Sequence, residues 1–130
     1  MSELRYALIA EIETPASGNK FLAVSLHWHS GIERTAYFIQ KVTEAVEQGT
    51  LRREDLQDFV AALEESQNRR LDEIRVLVKE LSRLQAEETY LRAIVGGDFN
   101  FEPGSQEYEE LRRAGLIDTY LIARRSCPRK

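Results

Sequence analysis

The first apolar pattern in the chain runs from Leu4 to Glu13, LRYALIAEIE, with Leu4, Tyr6, Leu8, Ala10 and Ile12 on one parity and Ala7 and Ile9 on the other. Successive strand side chains point to opposite faces, so apolar residues on both parities predict a strand buried on much of both faces. Thr14-Pro15-Ala16-Ser17-Gly18-Asn19 is turn chemistry, and Lys20 to Trp28 (KFLAVSLHW) resumes as a second apolar strand. The two predict an antiparallel hairpin. Parity places Phe21, Ala23, Ser25 and His27 on one face of the second strand and Leu22, Val24, Leu26 and Trp28 on the other.

Ser30-Gly31 breaks that strand, and Ile32, Ala36, Ile39, Thr43 and Val46 then recur at helical spacing up to Gly49. Further on, Leu56, Phe59, Val60 and Leu63 form one apolar stripe, and Leu71, Ile74, Leu77, Val78, Leu81 and Leu84 form a second. The stripe slips between Glu64 and Arg70, which fits two helices meeting near Ser66 or one long helix bent there. Arg92 to Gly97 (RAIVGG), short, apolar and bounded by glycines, predicts a buried central strand with Asp98-Phe99-Asn100 at its carboxyl end. Pro103-Gly104 interrupts the chain, Ser105 is placed to cap a helix over Gln106 to Ala114, and Gly115 stands where a helix closes on a left-handed residue. Leu116 to Ala123 (LIDTYLIA) reads as the start of another strand. The order strand, strand, helices, strand, helix, strand predicts an α+β fold, a mixed sheet with helices on one face. Strands apolar on both faces need a second layer, so a further half-domain or a partner chain, a homo-oligomer included, is expected against the other face.

Composition adds bounds. With 130 residues, 42% hydrophobic and 31% charged, the chain is one globular domain at most. No apolar run approaches the roughly 18 residues of a membrane span, and no secretory leader pattern follows Met1, so a soluble protein without a membrane span is expected. The single cysteine, Cys127, excludes an internal disulfide and a cysteine-rich zinc site, and leaves the compartment open with a lean toward the cytoplasm. A net charge of −4 has the wrong sign for a broad basic surface gripping nucleic acid. Arg124, Arg125, Arg129 and Lys130 make the C-terminal end basic, which reads as a solvated tail before it reads as a phosphate-binding arm.

Hydrolysing a phosphoester requires a group to deprotonate or orient water, donors for the phosphoryl oxygens, and commonly a divalent cation. Asp98 and Asn100, two apart at the mouth of a strand, project to one side and suit the first two tasks. On spacing alone, an Asx-capped turn is the commoner meaning of D-x-N. His27 and His29 form an H-x-H, a spacing that opens several two-histidine metal sites, but Ser30-Gly31-Ile32 follows with neither aspartate nor a third histidine. Trp28 reads as core before it reads as a stacking platform, and Glu102 as a solvated loop carboxylate.

The run Gly97-Asp98-Phe99-Asn100-Phe101-Glu102-Pro103-Gly104-Ser105, followed by Tyr108, Leu111 and Gly115-Leu116-Ile117-Asp118, resembles the G-D-x-N-x-x-P-x-S…Y…L…G-L-x-D signature of the endonuclease/exonuclease/phosphatase, or DNase-I-like, superfamily. Phe21 to Ser30 is similar to that family's apolar strand ending in a histidine. Ala10 to Asn19 resembles the preceding strand and P-x-G turn, and Asn68 to Leu81 (NRRLDEIRVLVKEL) its R-x-x-Q helix, with Glu73 or Ile74 near the usual glutamine. The resemblance implies a partial domain over the whole chain, part of a four-layer α/β/β/α sandwich incomplete at both ends, with Gln48 to Gln67 as a helical insertion. It implies a hydrolase acting on a phosphoester substrate, nucleic acid among the options, in which His27 holds the phosphate, Asp98 orients or deprotonates the water, and Asn100 meets a phosphoryl oxygen. Mg²⁺ or Mn²⁺ is the implied cofactor, with Asp98 and Asn100 at a second metal position; His29 is a rim residue in reach of substrate, and Asp118 a mainly structural acid.

The departures are the family's N-terminal asparagine and metal-binding glutamate and its C-terminal Asp-His pair, none of which has a match here. Little or no catalysis is therefore expected of this chain alone, and the alternative is a non-catalytic binding or scaffolding remnant that pairs with another chain. The acidic balance favours small phosphodiesters or single strands over duplex DNA.

Overall fold

The computed structural model describes residues 6–31, 36–87 and 92–126. Leu4, Ile32, Cys127, Arg129 and Lys130 lie outside the described residues. Within them the chain forms strands β1 (Ala7–Glu13), β2 (Lys20–His27) and β3 (Ala93–Asp98) and helices α1 (Ala36–Glu47), α2 (Arg53–Glu87), α3 (Gln106–Arg113) and α4 (Thr119–Ser126). The sheet order is β1-β2-β3. β1 pairs antiparallel with β2, from Ala7 opposite Leu26 to Glu13 opposite Lys20, and β2 pairs parallel with β3, from Leu22 opposite Ala93 to His27 opposite Asp98. The fold is thus α+β, with a small mixed sheet. The hairpin turn closes as its composition predicts: Thr14 N–H donates to the Asn19 carbonyl at 2.9 Å, and Gly18 takes φ +65°.

Leu22, Val24, Leu26 and Trp28 are buried against Ile74, Leu77 and Leu81 of α2. These four are the residues that parity grouped on one face of β2, and each such aliphatic side chain removed from water contributes about 1.5–3 kcal/mol. The opposite face is largely exposed among the described residues, with Phe21 and Ala23 half-buried. It carries Leu8, Ala10 and Ile12 of β1, Phe21, Ala23, Ser25 and His27 of β2, and Ile94, Gly96 and Asp98 of β3.

Several expectations are corrected. β1 is exposed along nearly its whole length, only Ile9 being half-buried, because it is a sheet edge with one face turned from α2. β3 is likewise an edge strand and not a buried central one, with Ile94 61% exposed. Of the two readings of the stretch around Ser66, the single long helix holds, α2 being one helix of 35 residues. The slip in its apolar stripe is filled by polar residues facing inward, Ser66 and Gln67 half-buried and Arg70 wholly buried. The segment 48–67 is helical over most of its length, α2 running from within it into 68–81. Leu116 to Ala123 holds helix α4 and not a strand: Asp118 Oδ1 accepts from the N–H groups of Tyr120 at 2.9 Å and Leu121 at 3.2 Å, an N-cap that turns the chain into a helix. Arg124 and Arg125 fall in the last turn of α4, where cations suit the helix dipole, and not in a frayed tail. Ser105 caps α3 as its position predicts, accepting from Tyr108 N–H at 3.2 Å, and Gly115 follows with φ +89°.

Candidate functional site

The carboxyl ends of β2 and β3 carry the residues with chemistry. His27 and Asp98 are register partners in the parallel ladder, so their side chains leave the same, open face of the sheet. His27 Nε2 lies 3.9 Å from Asp98 Oδ2, with both side chains more than half exposed. That distance is too long for a direct hydrogen bond but within ion-pair reach when the imidazole is protonated.

Three features of G-G-D-F-N-F build this edge. Gly97 takes φ +140°, and a Cβ there would overlap the Leu26 carbonyl oxygen and stand 2.8 and 2.9 Å from Leu26 C and N, so only glycine lets β3 approach β2 this closely. Phe99 and Phe101 turn inward onto Trp28, at ring-centroid distances of 5.2 and 5.7 Å, and anchor the turn in the core while Asp98 stays outside. Trp28 is accordingly a core residue. Asn100, between the two phenylalanines in sequence, takes φ +51°, a conformation asparagine tolerates better than most residues, so the backbone is not extended from Asp98 to Asn100 as their spacing predicts. Its N–H donates to Asp98 Oδ1 at 3.1 Å, an Asx turn that fixes one carboxylate oxygen. Its side-chain Nδ2 donates to the Trp28 carbonyl at 2.9 Å, and since that carbonyl can only accept, the amide orientation is determined. Oδ1 is thereby left on the opposite side of the amide. The Asx turn that D-x-N predicts on spacing alone is therefore present, and it leaves Asp98 Oδ2 facing His27.

His29 and Asp118 are placed differently. His29 lies past the end of β2 and is held by its backbone, its N–H donating to Glu73 Oε2 at 2.9 Å. Asp118 joins α3 to α4: besides capping α4, its Oδ2 accepts from the Tyr108 hydroxyl at 3.3 Å. Partial burial, and next the negative charge of Asp118, push the Tyr108 phenol above its ordinary range. These contacts are those of a structural acid.

The pattern-based reading missed a buried ion pair behind the site. Arg70 and Glu107, 0% and 1% exposed, meet at 2.9 Å, and Gln67 Nε2 donates to the second Glu107 oxygen at 3.2 Å. Only the break in α2's apolar stripe signalled it. A groove of about 400 Å³ lies on the helix side of the sheet, lined among others by Tyr6, Ile9, Trp28, Val76 and Leu77, and includes none of His27, Asp98 and Asn100.

As cation ligands, Asp98 and Asn100 are right in kind, hard oxygen donors of the sort Mg²⁺ takes. They are insufficient in number. Among the described residues no group of three or more His, Cys, Asp or Glu side chains gathers to hold a metal ion. No described helix is long and apolar enough to cross a membrane. No family model, curated protein or solved structure matches the chain.

Proposed function

We propose that this chain supplies part of the active site of a metal-dependent phosphoester hydrolase of the endonuclease/exonuclease/phosphatase type, its sheet and helices forming one side of a four-layer sandwich. The observation that carries the reading is the pairing of His27 with Asp98 at one sheet edge, with Asn100 locking the Asp98 turn. In it, Asp98 accepts a proton from the attacking water as the water oxygen bonds to phosphorus. His27 donates a hydrogen bond to a phosphoryl oxygen as charge builds there. The leaving oxygen is protonated from solvent. A bound Mg²⁺ or Mn²⁺ would supply charge neutralisation, Asp98 and Asn100 offering oxygen ligands toward it and the rest of the ligand set coming from outside the described residues.

Residual hydrolysis of bis(p-nitrophenyl) phosphate by the 130-residue chain, measured with added Mg²⁺ or Mn²⁺, tests this. Activity is expected to be low and to fall about a hundredfold, or to the buffer rate, in Asp98→Ala and in His27→Ala. Inorganic phosphate at millimolar concentration is expected to shift the His27 ring resonances of the wild type. Turnover unchanged by Asp98→Ala would remove the carboxylate from the mechanism.

A second reading, a non-catalytic module that binds another layer, is favoured by one observation, the open sheet face on which Leu8 is 70% exposed. Three strands of this length present on the order of 300 Å² of flat surface, in the range where exposed apolar patches are often functional. On this reading the chain self-associates in sedimentation equilibrium, and Leu8→Lys or Ile94→Lys abolishes the association without changing the thermal midpoint. A monomer at all concentrations would count against it.

A further inference from the structure

Two residues beyond the proposed catalytic group, the backbone is gripped from opposite sides. From the sheet, Trp28 N–H donates to the Asp98 carbonyl at 3.0 Å, and the Trp28 carbonyl accepts from Asn100 Nδ2 at 2.9 Å. From the helix, His29 N–H donates to Glu73 Oε2 at 2.9 Å, and the His29 carbonyl faces Arg70 Nη1 at 3.5 Å. Arg70 and Glu73 are one helical turn apart, so a single face of α2 reaches both polar groups of one residue. Arg70 is itself immobilised by Glu107, and Gly31 completes the fit: a Cβ there would stand 2.7 Å from Ser66 Cβ and 3.5 Å from Arg70 Nη1.

We propose that Glu73 and Arg70 are positioning residues for the His27/Asp98 site: by holding both backbone polar groups of His29, they fix where β2 ends and so where the His27 imidazole stands relative to Asp98. The packing of α2 does not call for this arrangement. Leu71, Ile74, Leu77 and Leu81 already bury the helix, whereas Glu73 lies beside that stripe, half-buried, with its carboxylate on a main-chain donor of the strand end. A carboxylate accepting a main-chain N–H is among the stronger and more directional hydrogen bonds available. It defines the path of residues 28–30 more sharply than apolar contact does. The catalytic meaning of this clamp rests on the hydrolase reading; its structural effect does not.

The test is nuclear magnetic resonance on the isotope-labelled 130-residue chain. In Glu73→Ala, His29 amide exchange is expected to speed up about tenfold or more. The His27 ring signals shift and the cross-peak between the His27 ring and Asp98 weakens, while the Ile74 and Leu77 amides keep their protection. Glu73→Gln, which retains an oxygen acceptor, restores the wild-type pattern. If turnover is detectable, kcat falls in Glu73→Ala with KM nearly constant, and Glu73→Gln recovers it. A freed His29 amide with His27 and Asp98 signals unmoved overturns the proposal; so does joint loss of Ile74 and Leu77 protection, which makes Glu73 a support of the fold as a whole. The expected spectra with no Asp98-dependent hydrolysis overturn the hydrolase reading and leave the positioning role standing.

Discussion

Gly97→Ala is expected to lower the thermal midpoint by about 15 °C, while Gly96→Ala, one residue earlier in the same strand, leaves it within a few degrees. The two glycines differ in what a methyl group would meet. At Gly96 there is nothing within 4 Å, whereas at Gly97 the new carbon would run into the Leu26 carbonyl of the neighbouring strand at φ +140°. Left-handed or mirror-region backbone costs an L-residue about 1–3 kcal/mol, and forced overpacking adds about 1–3 kcal/mol, so about 2–6 kcal/mol, centred near 4, is expected in all. That is a large fraction of the roughly 5–15 kcal/mol that holds a domain together. The damage also has a place: β3 can relieve the clash only by moving off β2 at the rung next to His27 and Asp98. Parallel melting curves for the two variants check this, and equal melting would show that the close approach is dispensable.

Glu107→Ala and Arg70→Met are each expected to destabilise by about 3–5 kcal/mol, because either change strands a charge in the interior. Arg70 is wholly buried and its Nη2 has no partner among the described residues even with Glu107 present. The double variant Arg70→Met/Glu107→Leu is expected to regain most of the loss, falling within about 1 kcal/mol of the wild type, since packed apolar residues replace a desolvated ion pair at little net cost. Urea melts of the four proteins give the coupling energy directly. Additive losses in the double variant would show that the two side chains matter through separate packing and not as a pair.

Much of the site's placement could be read from residue order. Alternation along KFLAVSLHW assigns His27 to the face opposite Leu22, Val24 and Leu26. A short apolar run ending in Gly97-Asp98 delivers a carboxylate to the mouth of a neighbouring strand, and Ser105 announces the helix after it. Other features were illegible for identifiable reasons. Burial of β1 and β3 within this chain was overestimated: Leu8, Ile12 and Ile94 are exposed, on the sheet face for which the sequence called for a second layer. In LIDTYLIA the apolar content hid Asp118, a helix N-cap whose hydrogen bonds outweigh the strand preference of Ile and Tyr around it. Arg70 and Glu107 carry charges at core positions of their helices, and their partnership spans 37 residues, beyond the reach of any local pattern. The grip on His29 uses main-chain atoms, which the identity of residue 29 does not encode.

The parallel pairing of β2 with β3 also dictates an order of events during folding. The hairpin of β1 and β2 closes through a short turn and can form as soon as it exists. The rung that joins His27 to Asp98, and the bond from Asn100 to Trp28 across 72 residues, must wait for the whole intervening helical connection to be made and folded back. Closing so long a loop is slow and costly in entropy compared with a hairpin. A polypeptide emerging from a ribosome therefore displays β2 with its inner face uncovered until α2 arrives, and the imidazole and carboxylate meet only after that.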